Sequence, residues 1–153
     1  MNVKTRNLAL AAIVLLLAFL GWQQSQNRQI PAQAIARDGV YTQKEDVAAY
    51  LAAYGELPGN FITKAEARAL GWSGGDLRPY AQDTAIGGDR FGNLEGLLPK
   101  MRGRVYYECD VNTLNQPSRG AERIVYSNDG LIYYTGDHYA SFEQLHGVND
   151  EGD

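Results

Sequence analysis

Cysteine is nearly absent. The 153-residue chain carries one, Cys109, so no disulfide can form within it. Histidine is almost as scarce, and two histidines with one cysteine fall short of a structural zinc set. Any chemistry is left to ordinary acids, bases and cations. Proline is limited to five residues against seventeen glycines, the habit of a small sheet-containing protein with many turns. Positive charge is also in short supply. From Arg37 onward, eleven Lys and Arg face eighteen Asp and Glu, a surplus of seven negative charges. A protein that holds nucleic acid through its overall charge would be basic. A phosphate-handling function would need its few cations gathered in one cleft.

What is present supports one folded domain behind a targeting element. Apolar residues make up 44% of the chain and ten residues are tyrosine, enough for a packed core. Lys4 and Arg6 precede an uncharged apolar run, Leu8 to Trp22, the layout of a Sec-type export signal. The run is short for a membrane span. No small-x-small pair follows the run closely; Ala32-x-Ala34 and Ala34-x-Ala36 lie far downstream. Residues 1–22 therefore read either as a signal peptide or as an uncleaved anchor holding the chain to a membrane through residues 8–22. A buried helix of the folded domain is the less informative reading. The rest of the chain is expected to be secreted or otherwise extracytoplasmic. Residues 23–36 are polar, contain Pro31 and read as a linker. The folded domain is expected over 37–147, followed by a flexible acidic tail, 148–153.

Two helix starts stand out. Thr42-x-x-Glu45 and Thr63-x-x-Glu66 both have capping-box spacing. After the first, Val47, Tyr50, Leu51 and Tyr54 share a helical face and Gly55 suits the stop. After the second, Ala65, Ala69 and Leu70 lead to a stop at Gly71. A short helix is expected around Leu77 to Ala81. Beyond Ile86 the pattern turns to strands: Arg104 to Val111, then Arg123 to Ser127 and Leu131 to Tyr134 flanking the turn Asn128-Asp129-Gly130, with Tyr139 to Phe142 as a further candidate. Helices first and strands afterwards predict an α+β domain, with N-terminal helices packed on an antiparallel sheet.

In the strand RVYYECDV, Arg104, Glu108 and Asp110 fall on one face. That stripe fits a solvated sheet face as well as the lining of a cleft. His138 lies in the glycine-containing turn TGDHY, and Arg119 and Arg123 are four apart in a loop running into a strand. Taken singly, these residues have ordinary surface readings.

Together they sit within a longer pattern. The segments AAYLAAYGELPGNFITKAEARALGW, IGGDRFGNLEGLLP, RVYYECDVN and ERIVYSNDGLIYYTGDHYASF follow an upstream DGV in fixed order, covering about Asp38 to Phe142. In this the chain resembles barnase and its relatives, the guanyl-preferring extracellular ribonucleases of bacteria. The resemblance implies an endonuclease cleaving single-stranded RNA after guanosine through a 2′,3′-cyclic phosphate, with no metal and no cofactor. It implies Glu108 as general base and His138 as general acid, with Lys64, Arg119 and Arg123 around the scissile phosphate. Placing Arg119 needs one extra residue in the loop Thr113 to Ser118. Phe91, Asn93, Leu94 and Glu95 match the guanine-binding loop, and Tyr139 the aromatic that helps hold the base. Arg104 and Asp129 match a structural ion pair. A monomer is expected, and a barstar-like protein inhibitor if the enzyme serves as a toxin. A catalytically dead binding module on the same scaffold would be expected to lack Glu108, His138 or the arginines, and the chain keeps them all. Three features depart from the family pattern: Gly92 and Leu94 stand where polar or basic residues are common, the loop after Trp72 is short, and the domain is acidic. Cys109 is expected to be a packed residue on the strand face opposite Glu108.

Overall fold

The computed structural model describes residues 35–147. The leader, most of the linker and the acidic tail read from the sequence lie outside them. Eight elements follow in chain order: α1 (Lys44–Tyr54), β1 (Phe61–Ile62), α2 (Lys64–Ala69), β2 (Ala85–Phe91), β3 (Tyr106–Asp110), β4 (Arg123–Ser127), β5 (Ile132–Thr135) and β6 (Glu143–His146). The strands form one sheet in sequence order, with β1 parallel to β2 and every later pair antiparallel. The expected α+β architecture is therefore present, with its helices ahead of its antiparallel strands.

Helix α1 buries Val47, Ala48, Tyr50 and Leu51 and lies against β4, β5 and β6. It ends at Gly55, whose left-handed φ of 69° lets its N–H donate to the carbonyl of Leu51. The start of α1 differs from expectation. Thr42 is buried and forms no cap, and the N-cap is Gln43, which makes no side-chain bond. The cap comes instead from Asn112, far along the chain, whose Oδ1 accepts from Lys44 N–H at 3.0 Å. The same residue donates its own N–H to the Thr42 carbonyl at 2.7 Å and its Nδ2 to Glu122. A loop residue thus replaces a local box, which no local spacing rule could reveal.

The second capping box forms as read: Thr63 Oγ1 accepts from Glu66 N–H, and Glu66 Oε2 accepts from Thr63 N–H. Its helix is only six residues long, and the buried residue is Ala67, while Ala65, Ala69 and Leu70 are exposed. So short an element has one inward position, and Ala67 takes it against Trp72, Leu77 and Ile86. Leu77 to Ala81 is a single turn, not a helix; Tyr80 and Ala81 both donate to the Leu77 carbonyl and the chain goes no further. The last strand is Glu143–His146 rather than Tyr139–Phe142, because the latter segment turns to pack Tyr139 and Phe142 on the core.

The sheet register decides what faces the cleft. Between Gly87 and Asp89 a bulge leaves Gly88 unpaired, at a φ of 93°. Beyond it Asp89 stands opposite Glu108 and Phe91 opposite Tyr106, so the charged and aromatic ends of β2 share a face with Glu108. Gly87 is required by space: a Cβ there would lie 2.6 Å from that of Cys109 and 2.7 Å from the Phe61 ring. On the cleft face a core of Leu98, Tyr106, Val125, Leu131 and Tyr133 supports the site. On the other face Cys109 is fully buried as expected, and burial pushes its thiol pKa well up. That keeps it an inert packing residue.

Replacing Asn112 by Ala removes a cap and the link to Glu122. The expected loss is about 1–2 kcal/mol of stability in urea unfolding; a loss no greater than a few tenths would show that the cap is dispensable.

Candidate active site

The site is built outward from the C-terminal end of β3. Asp110 is 1% exposed and collects two guanidinium groups. Arg119 binds it in bidentate fashion, Nε to Oδ2 at 2.6 Å and Nη2 to Oδ1 at 2.8 Å. Arg123 places Nε 2.9 Å from Oδ1, out of hydrogen-bond alignment, so that nitrogen is buried without a bonded partner. Its outer nitrogens donate to the carbonyls of Arg119, Gly120 and Glu122, which shapes the loop that delivers Arg119. Arg119 also lies 5.8 Å from the Trp72 ring centre. Its pKa is raised, chiefly by the hydrogen bond to Asp110, with smaller contributions from Tyr139 and Glu108.

Two residues earlier on the same face, Glu108 is 7% exposed. Lys64 Nζ meets its Oε1 at 2.5 Å and the Tyr139 hydroxyl donates to its Oε2 at 2.5 Å. Burial works to raise its carboxyl pKa. The bonds from Lys64 and Tyr139, helped by the charges of Lys64 and Arg123, outweigh burial and hold it below the ordinary value. Glu108 is thus a carboxylate at neutral pH, and each oxygen keeps a lone pair for another donor. Lys64 is aimed by its backbone: it opens α2, and its N–H donates to Asp89 Oδ2 at 2.9 Å. Asp89 reaches that position because of the β2 bulge.

The turn after β5 carries His138 and Tyr139, both left-handed, with φ of 56° and 73°. Such conformations are unfavourable for side-chain-bearing residues and persist only under surrounding constraint. Here the constraint is visible. Asp137 accepts from Thr135 Oγ1, from Ser141 N–H and from Ser141 Oγ, and these bonds hold its pKa down to about 2. Thr135 Oγ1 in turn accepts from Tyr139 N–H. The result is an exposed His138 ring centred 5.0 Å from the Tyr139 ring, while Tyr139 reaches Glu108.

Tyr139 also stacks on Phe91, with ring centres 5.3 Å apart, and so joins the Glu108 cluster to the Phe91–Gly96 loop. Asn93 is buried at a φ of 45°, its amide donating to the Leu98 carbonyl and accepting from Leu98 N–H. Locked this way, the loop presents Glu95 and Leu94 to solvent, with Leu94 88% exposed. Arg104 stands outside the charged stripe and pairs with Asp129, Nε to Oδ2 at 2.8 Å, as the family pattern implies.

Lys64, Glu108, Arg119, Arg123, His138 and Tyr139 therefore converge, with the Phe91–Gly96 loop beside them. The sequence model of the ribonuclease family matches residues 44–146, the stretch that holds all of these groups. The chain belongs to the microbial ribonuclease family. It is 50% identical over 103 residues to a ribonuclease of Heyndrickxia coagulans, covering 66% of this chain and 94% of that protein. A ribonuclease of Bacillus intermedius matches at the same identity over 63% of its own length. The guanyl-specific ribonuclease Sa3 of Kitasatospora aureofaciens is 44% identical over 68 residues, 44% of this chain and 45% of that protein. The protein is an endoribonuclease, and RNA is its substrate.

Asp89, Asp110 and Asp137 received no role from sequence reasoning. Asp110 alone carried a signal, as a charge inside an apolar strand. The contribution of Asp89 depends on the bulge and that of Asp137 on turn geometry. Two outcomes test this site. Asp110→Asn strands two guanidinium groups around a neutral amide, and urea unfolding is expected to show a loss of about 3–5 kcal/mol. Because Glu108 titrates lower in the folded protein than in the unfolded chain, its stabilising contribution is complete above about pH 4.3 and fades as pH falls through the depressed folded value. The stability of the native protein relative to Glu108→Gln is thus expected to decline between pH 7 and pH 3; a pH-independent difference would contradict the pairing described.

Proposed function

We propose that the enzyme cleaves single-stranded RNA preferentially after guanosine, by transesterification to a 2′,3′-cyclic phosphate and then hydrolysis. The observation that carries this reading is the geometry at Glu108, whose two oxygens bond Lys64 and the Tyr139 hydroxyl, with the His138 ring centred 5.0 Å from that of Tyr139. RNA brings its own nucleophile, the 2′-hydroxyl, so a base and an acid suffice. Glu108 removes the 2′ proton as the 2′ oxygen bonds to phosphorus, and His138 gives a proton to the departing 5′ oxygen. Lys64, Arg119 and Arg123 stabilise the added charge on the pentacoordinate phosphorus. In the hydrolytic step the roles reverse: His138 takes a proton from water and Glu108 returns one to the 2′ oxygen.

Guanine presents N1–H and N2–H₂ on one edge, which the Glu95 carboxylate can accept together. Backbone amides near Asn93 and Leu94 face its O6, and Phe91 and Tyr139 flank the base. The relative named guanyl-specific supports this preference. Export through residues 1–22, with or without retention at the membrane, completes the proposal, and a barstar-like inhibitor would be the partner of a toxin form.

Glu108→Gln is expected to slow cyclisation by about a hundred- to ten-thousandfold. His138→Ala should do the same and remove the alkaline limb of the pH–rate profile. Near-native rates for either would eliminate its role. End-mapping of products from a defined oligonucleotide should show cuts after guanosine, and Glu95→Gln should spread them; even cutting after all four bases by the native enzyme would refute the Glu95 assignment.

A further inference from the structure

Left-handed backbone occurs at six non-glycine positions among the described residues. Four of them, Asp83, Asn93, Asn112 and Asn115, are Asp or Asn, whose short polar side chains tolerate it. The other two are His138 and Tyr139, in succession. A bulky residue at positive φ is an outlier that its surroundings must hold in place. This pair also joins both ends of the chemistry proposed above: His138 presents its exposed ring, and the Tyr139 hydroxyl donates to Glu108 Oε2.

The bonds that hold the pair converge on one carboxylate. Asp137 Oδ1 accepts from Thr135 Oγ1 at 2.9 Å and from Ser141 N–H at 2.9 Å, and its Oδ2 accepts from Ser141 Oγ at 2.6 Å. Thr135 Oγ1 passes the constraint on by accepting from Tyr139 N–H at 2.9 Å. Thr135 is itself fixed, buried at the end of β5 and opposite Arg123 in the register with β4. Asp137 thus ties the sheet on one side of the strained pair to Ser141 on the other. It is an exposed residue, and exposed residues without such a task are replaced at little cost.

We propose that Asp137 is a positioning residue for the reaction, setting the turn that aims the His138 imidazole and delivers the Tyr139 hydroxyl to Glu108. Because one turn carries both, a single slackening misplaces the acid and loosens the hold on the base together. A displacement of about 1 Å at reacting groups slows a reaction by about a hundredfold. The base-holding loop has supports of its own: the Phe91 ring packs on Phe142 at 6.0 Å, and Asn93 is bonded to Leu98. The loss therefore falls on kcat rather than on KM. This role rests on the reading of Glu108 as base and His138 as acid.

The test compares Asp137→Ala with Asp137→Asn on a guanosine dinucleotide. Asp137→Ala is expected to lower kcat by about ten- to hundredfold, with KM within about threefold of native. Asparagine can keep the network, its Oδ1 accepting from Thr135 and from Ser141 N–H and its Nδ2 donating to Ser141 Oγ, so Asp137→Asn should stay within about fivefold of native. The acid limb of kcat/KM should move to higher pH in Asp137→Ala, because the Tyr139 hydroxyl is one of the groups that keep Glu108 ionised. The substitution leaves in place the other charged groups around Glu108: Lys64 from α2, Asp89 across on β2, Asp110 on its own strand, Arg123 from β4 and Arg119 from the loop before it. Asn112→Ala, which weakens the fold at the start of α1, should keep the native kcat; a loss equal to that of Asp137→Ala would reduce the effect to general destabilisation and overturn the role. Ser141→Ala deletes one bond and leaves the carboxylate, so a loss in kcat of about threefold is expected there, and it decides the matter if Asp137→Ala does not fold. A kcat within about twofold of native for the variant that decides, an Asn variant as slow as the Ala variant, or a loss borne by KM would each overturn the positioning role. Near-native rates for Glu108→Gln and His138→Ala would instead sink the acid–base reading, and the positioning role with it.

Discussion

A carboxylate buried in a sheet must be compensated, and Asp110 is compensated by two arginines: Arg123, its register partner at the start of β4, and Arg119 from the loop before that strand. Desolvating one negative charge costs several kcal/mol, and so does desolvating Arg123, which is nearly as deep. Neither is tolerable alone. Together they draw the segment Arg119–Arg123 onto the end of the sheet and fix Arg119 beside Trp72. The pair of arginines is therefore held in place by the electrostatics of folding.

The same logic explains how an acidic protein can act on a polyanion. Its cations are few, and most of those in the cleft are tied to a carboxylate that sets their position. Glu108 plays both parts, anchoring Lys64 while itself being kept ionised. Pairing lowers the long-range attraction for RNA but leaves a strong local field in a partly desolvated cleft, where charge developing on phosphorus is felt most.

Much of this was legible in the amino-acid order. The helix-then-strand progression, the Asn128–Gly130 hairpin, the Thr63 box and the Arg104–Asp129 pair all rest on local spacing or on the family pattern, and the structure contains each of them. The failures share a cause. The Thr42 box was overridden by Asn112, a residue 68 positions from the Lys44 amide it caps. The inward face of α2 and the turn at Leu77 were decided by what Trp72 and Ile86 leave room for. The final strand moved because Tyr139 and Phe142 were needed in the core.

The sequence by itself determined the fold class and supplied the side chains that the proposed chemistry draws on, because alternation, capping and motif order are properties of neighbours along the chain. Only the tertiary structure decided which groups hold them: the bulge that turns Asp89 toward Lys64, the Asp137 bonds that fix His138 and Tyr139 in left-handed geometry, and the burial of Asp110. Those depend on register and depth, which arise when distant segments meet and compete for the same space and the same charge.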